Sequence, residues 1–353
     1  MWPVKSSPQN SFRTIACKGT VQPWRQEFSR LVRDSEQEDT PPQNLVYGIY
    51  MRWQVRCALE GCKSLMFPDV LRRVKRCFVK YHPDFGRTAF ALDEGILQIK
   101  WLREELGSLA GKTILEIGSG WEPLLPILYA LLDVKHVYLT DLRRLMDVDT
   151  ISAAMQGLAK NLDRIASELQ LTNERVLAVL SQSVINLDAF LQGMRFSYLA
   201  PCDCRKLQLP PASIDVVTSR SVFEHVPPPV IEEIIKESQR VLVPGGLLCH
   251  FIDNSDHWAH HDKAISRVNF LQYTDRQFRW TWINPLHYQN RLRHSDYLAM
   301  LARHGLRILR EQRVIEPSTL DAVPKIQLAP RFRQFTQEDL ATTDSYLLAR
   351  KVD

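Results

Sequence analysis

Ile114-Leu115-Glu116-Ile117-Gly118-Ser119-Gly120-Trp121-Glu122-Pro123 is the stretch on which the fold turns. A short, mostly apolar run reads as a strand over Thr113 to Ile117. Two glycines follow, and a helical pattern runs from Glu122 to Leu132, with Pro123 in the first turn, where a missing N–H costs nothing. Glycines at a strand-to-helix bend let the backbone approach a ligand closely. The dinucleotide fingerprint G-x-G-x-x-G is incomplete, because Pro123 stands at its third glycine, so a pyrophosphate grip is not expected. Glu116 points the same way. A carboxylate repels bound phosphates, but it attracts a sulfonium or an ammonium.

Outward from this bend, strand-like and helical runs alternate. Strands are predicted at His136 to Thr140, Phe196 to Ala200, Ile214 to Thr218, Leu247 to Ile252, Arg307 to Arg313 and Ser345 to Lys351. Helices are predicted at Val230 to Leu242 and Leu298 to Arg303. The alternation predicts an α/β, Rossmann-like, mostly parallel sheet with helices on both faces. Such sheets bind ligands at the carboxyl ends of their strands. Two connections are too long for plain turns. Residues 142–195 carry helical pattern (Ile151 to Leu169, Val176 to Met194), and residues 254–293 form an inserted lid rich in histidine and aromatics.

Residues 1–105 read as a basic, partly helical N-terminal extension and 106–353 as the sheet domain. The first hundred residues hold 16 Lys+Arg against 10 Asp+Glu, and the remaining 253 hold 29 against 30, so the net charge of +5 comes from the extension. Within it Phe67, Val70, Leu71, Val74 and Phe78 fall at helical spacing among Arg72, Arg73, Lys75, Arg76 and Lys80. This amphipathic run over residues 66–80 suits either packing on the main domain or contact with an anionic surface. No aromatic-interleaved basic motif points to nucleic acid. The longest nearly unbroken apolar run, Leu124 to Leu132, is about half of the ~20 residues a membrane-spanning helix needs. The N-terminus lacks an apolar signal segment, and the seven cysteines are odd in number and irregularly spaced. Both suggest reduced thiols and a cytoplasmic setting.

Three acids recur at successive strand ends: Glu116, Asp141 and Asp203. Each alone suits a cap or a turn. Together they suit a nucleoside carrying a positive charge, with Asp141 placed to accept both hydroxyls of a ribose and Asp203 an adenine amino group. Here the chain resembles the class I S-adenosylmethionine-dependent methyltransferases, and among them the ubiquinone/menaquinone-type and "type 11" groups. The resemblance rests on Glu116 to Gly120, Asp141, Asp203 before Leu207-Gln208-Leu209-Pro210, Ser213-Ile214-Asp215-Val216-Val217, Phe223-Glu224-His225-Val226 and Arg240-Val241-Leu242-Val243-Pro244-Gly245-Gly246. It covers about residues 108–255. It implies a seven-stranded sheet with an antiparallel last strand, and S-adenosylmethionine as cofactor. It puts Glu116, Gly118 and Gly120 at the methionine end, Asp141 at the ribose and Asp203 at the adenine, with Ser119 and Ser219 also read as cofactor-binding. Glu122 stands where many members carry a third glycine, so Trp121 and Glu122 are expected to reshape that rim.

Methyl transfer from a sulfonium is an in-line displacement that calls on the protein for alignment and, for some nucleophiles, a base. Base candidates fall at or beyond strands four and five: His225, His250, His257, His260 and His261. A helix from Asp256 would stack His257 over His261. A substrate-facing base, a structural tie for the lid and a metal site of His-x3-His spacing are all open. His257, with His225 and His261, is the catalytic choice, and no metal is assigned. Arg291 and Arg293 are read as carboxylate or phosphate binders, or as surface charge, and the lid aromatics as a substrate grip or as packing. The chain lacks the (Asp/Asn)-Pro-Pro-aromatic element of amino-methylating nucleic-acid enzymes, since Ser219-Arg220-Ser221-Val222-Phe223 occupies its place. The expected reaction is methylation of oxygen or nitrogen on a small molecule or a sugar- or lipid-linked intermediate. Alternatives are a protein or RNA methyltransferase docking through the basic extension, and a non-catalytic cofactor-binding scaffold.

Overall fold

The computed structural model describes residues 85–182, 184–281 and 288–352. The basic run at 66–80 and most of the N-terminal extension lie outside the described residues. Seven strands form one sheet: β1 (Thr113–Ile117), β2 (His136–Thr140), β3 (Phe196–Leu199), β4 (Ile214–Arg220), β5 (Leu242–Asp253), β6 (Leu306–Ile315) and β7 (Thr342–Lys351). Their order is β3-β2-β1-β4-β5-β7-β6. The first five are parallel, and β7 runs antiparallel between β5 and β6. The order reverses between β1 and β4, so the carboxyl ends of those two strands flank the crevice where such sheets take ligands. Every strand predicted from alternation is present. β1 is buried from Ile114 to Ile117, as a strand covered on both faces must be.

Helix α1 (Phe85–Leu106) covers one face with α2 (Leu124–Leu131). Its Leu92, Ile99 and Leu102 are buried in the same core as Val137, Leu139 and Val216. The boundary drawn at 105/106 thus falls at the end of a helix that packs on the sheet. Gln98 ties α1 to the strands, donating from Nε2 to the carbonyls of Cys249 (3.0 Å) and Ser219 (3.4 Å).

The connection from β2 to β3 holds four short helices, α3 (Val148–Ala159), α4 (Leu162–Leu169), α5 (Asn173–Leu180) and α6 (Leu187–Gly193), where periodicity predicted two long runs. Local side chains divide them. Asp147 caps α3, Thr172 caps α5 and Asn186 caps α6, while Gln170 at φ 57° ends α4. The opposite face is covered by α7 (Pro228–Val241), whose Ile231, Ile234, Ile235 and Val241 line one inward stripe.

A third core lies off the sheet. Trp258, Val268, Phe270, Leu271 and Phe278 from the lid pack against Val323, Ala329 and Phe332. The latter three come from residues 316–341, a connection between β6 and β7 whose role the sequence did not signal. Among the described residues no helix is long and apolar enough to cross a membrane.

Candidate active site

β1 ends in Glu116-Ile117 and turns at once through Gly118 and Gly120, both with positive φ (71° and 61°). A Cβ on Gly118 would lie 2.5 Å from Cγ2 of Val222, so this position requires glycine on two counts. The bend is pinned to β2: the N–H groups of Gly118 and Ser119 both donate to the Thr140 carbonyl at 2.9 Å. The Gly120 N–H donates to Oδ2 of Asp141 (3.1 Å), and the Arg143 N–H to its Oδ1 (2.9 Å). Each Asp141 oxygen keeps a lone pair beyond these bonds.

The polar atoms at this bend look incomplete without a ligand. Glu116 is buried, and among the described residues its Oε2 has no hydrogen-bond partner, nor do Ser119 Oγ and Trp121 Nε1. Burial pushes the Glu116 carboxyl up to about 7, opposed by the neighbouring Ser119 hydroxyl and the charge of Arg220. Burial raises Glu122 to about 7 as well, and raises Asp141 against its backbone N–H donors. Unpaired acceptors in a buried acidic bend suit a cationic ligand.

The other two cofactor candidates are placed differently. Asp203 is already clamped by Arg205, whose Nε and Nη2 approach its oxygens at 3.0–3.2 Å. It therefore meets any ligand as half of an ion pair. The Ser219 hydroxyl is fully buried and lies 2.7 Å from Nδ1 of His250, inside the sheet rather than at its rim. Burial lowers His250 to about 3, so this ring stays neutral.

Beyond β4 and β5 a second polar group forms. Phe223–His225 is a single 3-10 turn, which buries Glu224 and brings His225 to the cleft. β5 ends in Asp253, and its Oδ2 lies 3.3 Å from Nε2 of His257. The rings of His225 and His257 meet edge-on at 5.1 Å, and those of His257 and His260 lie 5.8 Å apart. The predicted stack of His257 over His261 does not form. Helix spans only Trp258–His261, with His257 as its N-cap residue, and Asp256 Oδ1 accepts from the Trp258 N–H. His261 sits against Trp258 instead, at 6.1 Å between rings.

Charge at this group is polarised. Burial would lower His257, but the carboxylates of Asp253 and Glu224 override it and hold the ring at about 9. Burial would raise Asp253, yet His257 brings it well below the ordinary carboxylate range. For Glu224 burial and the charge of Asp253 win, raising it well above that range, and the charge of His257 offsets them only in part.

Residues 288–290, of which the sequence reading gave a role only to Tyr288 as a lid aromatic, assemble this group. The Tyr288 carbonyl lies 3.0 Å from Nδ1 of His225. Gln289 accepts from the His257 N–H at 3.3 Å and donates to the Ser255 carbonyl. Asn290 donates to the carbonyls of Phe223 (2.6 Å) and Val226 (2.9 Å), and its own N–H to that of Glu224 (2.7 Å). The only sequence signal was a polar Gln289-Asn290 pair inside an otherwise aromatic lid.

Arg291 and Arg293 are not surface charges. Both are buried. Arg291 donates to the carbonyls of Phe270 (2.9 Å) and Tyr273, pairs with Asp275 at 2.7 Å and stacks on Phe278. Arg293 donates to the carbonyls of Asn254 (2.8 Å) and Leu340 (3.4 Å). Phe270 and Phe278 are packing residues of the third core, while Trp282 lies outside the described residues.

Residues 191–250, which span β3 to β5, match the family model described as "Methyltransferase domain". That match lies within the part of the chain, about residues 108–255, that resembles the class I S-adenosylmethionine-dependent methyltransferases. Among solved structures it is similar to an S-adenosylmethionine-dependent methyltransferase from Mesorhizobium loti, at 15% identity over 71% of this chain and 96% of that one, with a TM-score of 0.40. It is also similar to a geranyl diphosphate C-methyltransferase from Streptomyces coelicolor, at 12% identity over 72% of this chain and 79% of that one, with a TM-score of 0.37. The orphaned Glu116 and Ser119 atoms beside the Gly118–Gly120 bend fit the cationic methionine end of S-adenosylmethionine, the cofactor that the sequence resemblance implies.

Proposed function

We propose that this chain is an S-adenosylmethionine-dependent methyltransferase that acts on an oxygen or nitrogen of a small molecule, or of a sugar- or lipid-linked intermediate. One observation carries the reading: a paired imidazole, His257 on Asp253, stands with His225 beyond β4 and β5, on the cofactor side of the sheet. The cofactor supplies an electrophilic methyl carbon on a positive sulfur. Glu116 holds that charge, Asp141 holds the ribose, and the 288–290 strap holds the histidines where the acceptor enters. Where His257 has shed the proton that its carboxylate neighbours hold up to about 9, it takes the acceptor's proton, and Asp253 stabilises the imidazolium that results. Carbon acceptors need no such pair when the carbon carries no acidic proton.

A screen of hydroxyl- and amine-bearing acceptors for S-adenosylhomocysteine production tests the reaction. With a responsive acceptor, His257→Ala should lower turnover by about two to four orders of magnitude, with S-adenosylmethionine affinity within about threefold. Unchanged turnover would remove His257 from the reaction. We also propose a cytoplasmic setting, which the irregular cysteines support, and contact of residues 66–80 with anionic lipid. Equal flotation on phosphatidylserine vesicles with and without that run would refute the contact.

A further inference from the structure

Glu224 is the least satisfied charge-bearing group in the described structure. It is 2% exposed, and among the described residues neither carboxylate oxygen has a hydrogen-bond partner. Left so, it is either a desolvated anion or a neutral acid with an unmet O–H, and both are costly. A third arrangement satisfies it. Glu224, His225 and His257 each offer one ligand atom, and these atoms lie within 4.8 Å of one another. Oε1 of Glu224 is 4.0 Å from Nε2 of His225.

The supporting shell has the form that metal-binding imidazoles need. A carbonyl only accepts, so the Tyr288 oxygen at Nδ1 of His225 keeps the hydrogen there, and the neutral ring turns the lone pair of Nε2 toward Glu224. Asp253 holds the His257 ring from its own side. Asn290 and Gln289 fix the backbones of both segments. Two imidazoles and a carboxylate form an N, N, O donor set, which suits Zn2+ and its first-row neighbours better than Mg2+. Bonds of about 2.0–2.1 Å put tetrahedral ligand atoms roughly 3.3 Å apart, so side-chain rotations at His225 and His257, both partly exposed to the cleft, would close the set.

We infer that Glu224, His225 and His257 bind a divalent transition-metal ion of the Zn2+ class, open on the cleft side to an acceptor oxygen. This rests on the proposal that the acceptor meets the cofactor at these histidines, and it changes the part of His257 from base to ligand. A hydroxyl held on the ion loses its proton to solvent more readily. Its oxygen lone pair then forms the bond to the methyl carbon as the carbon–sulfur bond breaks, and that bond's electron pair stays on sulfur.

The test is calorimetric titration of Zn2+ into the full chain, stripped with a chelator that is then removed, alongside a separate titration with S-adenosylmethionine. One equivalent of Zn2+ should bind. Glu224→Gln and His257→Gln should each weaken it at least tenfold, while His304→Gln, at a histidine paired with Glu232 instead, should not. Co2+ in place of Zn2+ should give visible absorption that the same two variants lose. S-adenosylmethionine affinity within about threefold in all variants shows that the fold survives. Absent Zn2+ binding, or binding equal in wild type and both site variants, as thiols elsewhere would give, overturns the ion site and leaves the base reading standing. Turnover of an acceptor by the stripped enzyme at its full rate does the same. Zn2+ binding as expected, with no acceptor hydroxyl or amine methylated, would keep the ion site and sink the acceptor reading.

Discussion

Gly118 has no room for a side chain and no tolerance for one, since its φ is 71° and Val222 fills the space a Cβ would take. Gly118→Ala should therefore cost about 2 kcal/mol or more and weaken S-adenosylmethionine binding, read by denaturant melts and calorimetry. Adding Val222→Ala should restore part of the loss, because it removes the clash and leaves the backbone strain. Glu116 gives a pH test at the same bend. Its carboxyl sits at about 7 in the folded chain against an ordinary 4.5. The folded state thus holds this proton more tightly than the unfolded chain, and cofactor-free stability falls as pH rises from about 4.5 to 7. The cationic ligand favours the ionised form, so its affinity should rise about tenfold from about pH 6 to 8. Glu116→Gln should bind weakly at both pH values, and a Gln variant with the wild-type slope would refute the assignment. These residues were legible because glycine and a strand-end acid have few reasons to stand together. Asp203 and Ser219 were not, because sequence does not show that Arg205 and His250 already occupy them.

At the scale of elements, periodicity found all seven strands, most plainly β1, since a strand buried on both faces must be apolar throughout. It misjudged where helices stop. Capping side chains decided that in the segment 142–195, while beyond β5 a helix of only four residues, Trp258–His261, leaves His257 as its N-cap residue. The histidine phase was thus beyond periodicity, and with it the partnership of His257 with His225 rather than His261. The strap at 288–290 can be tested as an element. Asn290→Ala removes two donors from the turn that carries Glu224 and His225. It should cost about 1–3 kcal/mol and lower turnover through misplacement of both side chains, with S-adenosylmethionine affinity unchanged within about threefold. Equal losses of cofactor affinity and turnover would show instead that the strap supports the whole cleft.

For the whole molecule, the sheet order places the two halves of the reaction on different supports. The cofactor bend hangs from β1 and β2, inside the first two cores, while the lid rests on a third core made with residues 316–341. That partnership joins segments far apart in sequence, and nothing local in either one announces it. The buried Arg293 couples them by donating to Asn254 beside the histidines and to Leu340 across the third core. Separate support implies separable failure. Phe332 is fully buried in the third core, and Phe332→Ala should cost about 3–5 kcal/mol there. If the third core opens on its own, hydrogen exchange should quicken in residues 258–278 and 323–341 while β1, β2 and β4 keep their protection. S-adenosylmethionine affinity should stay within about threefold, and the Michaelis constant for the acceptor should rise at least tenfold. Uniform loss of protection across the sheet would mean that the lid and the cofactor domain unfold as one unit, and the acceptor side could then not move without the cofactor side.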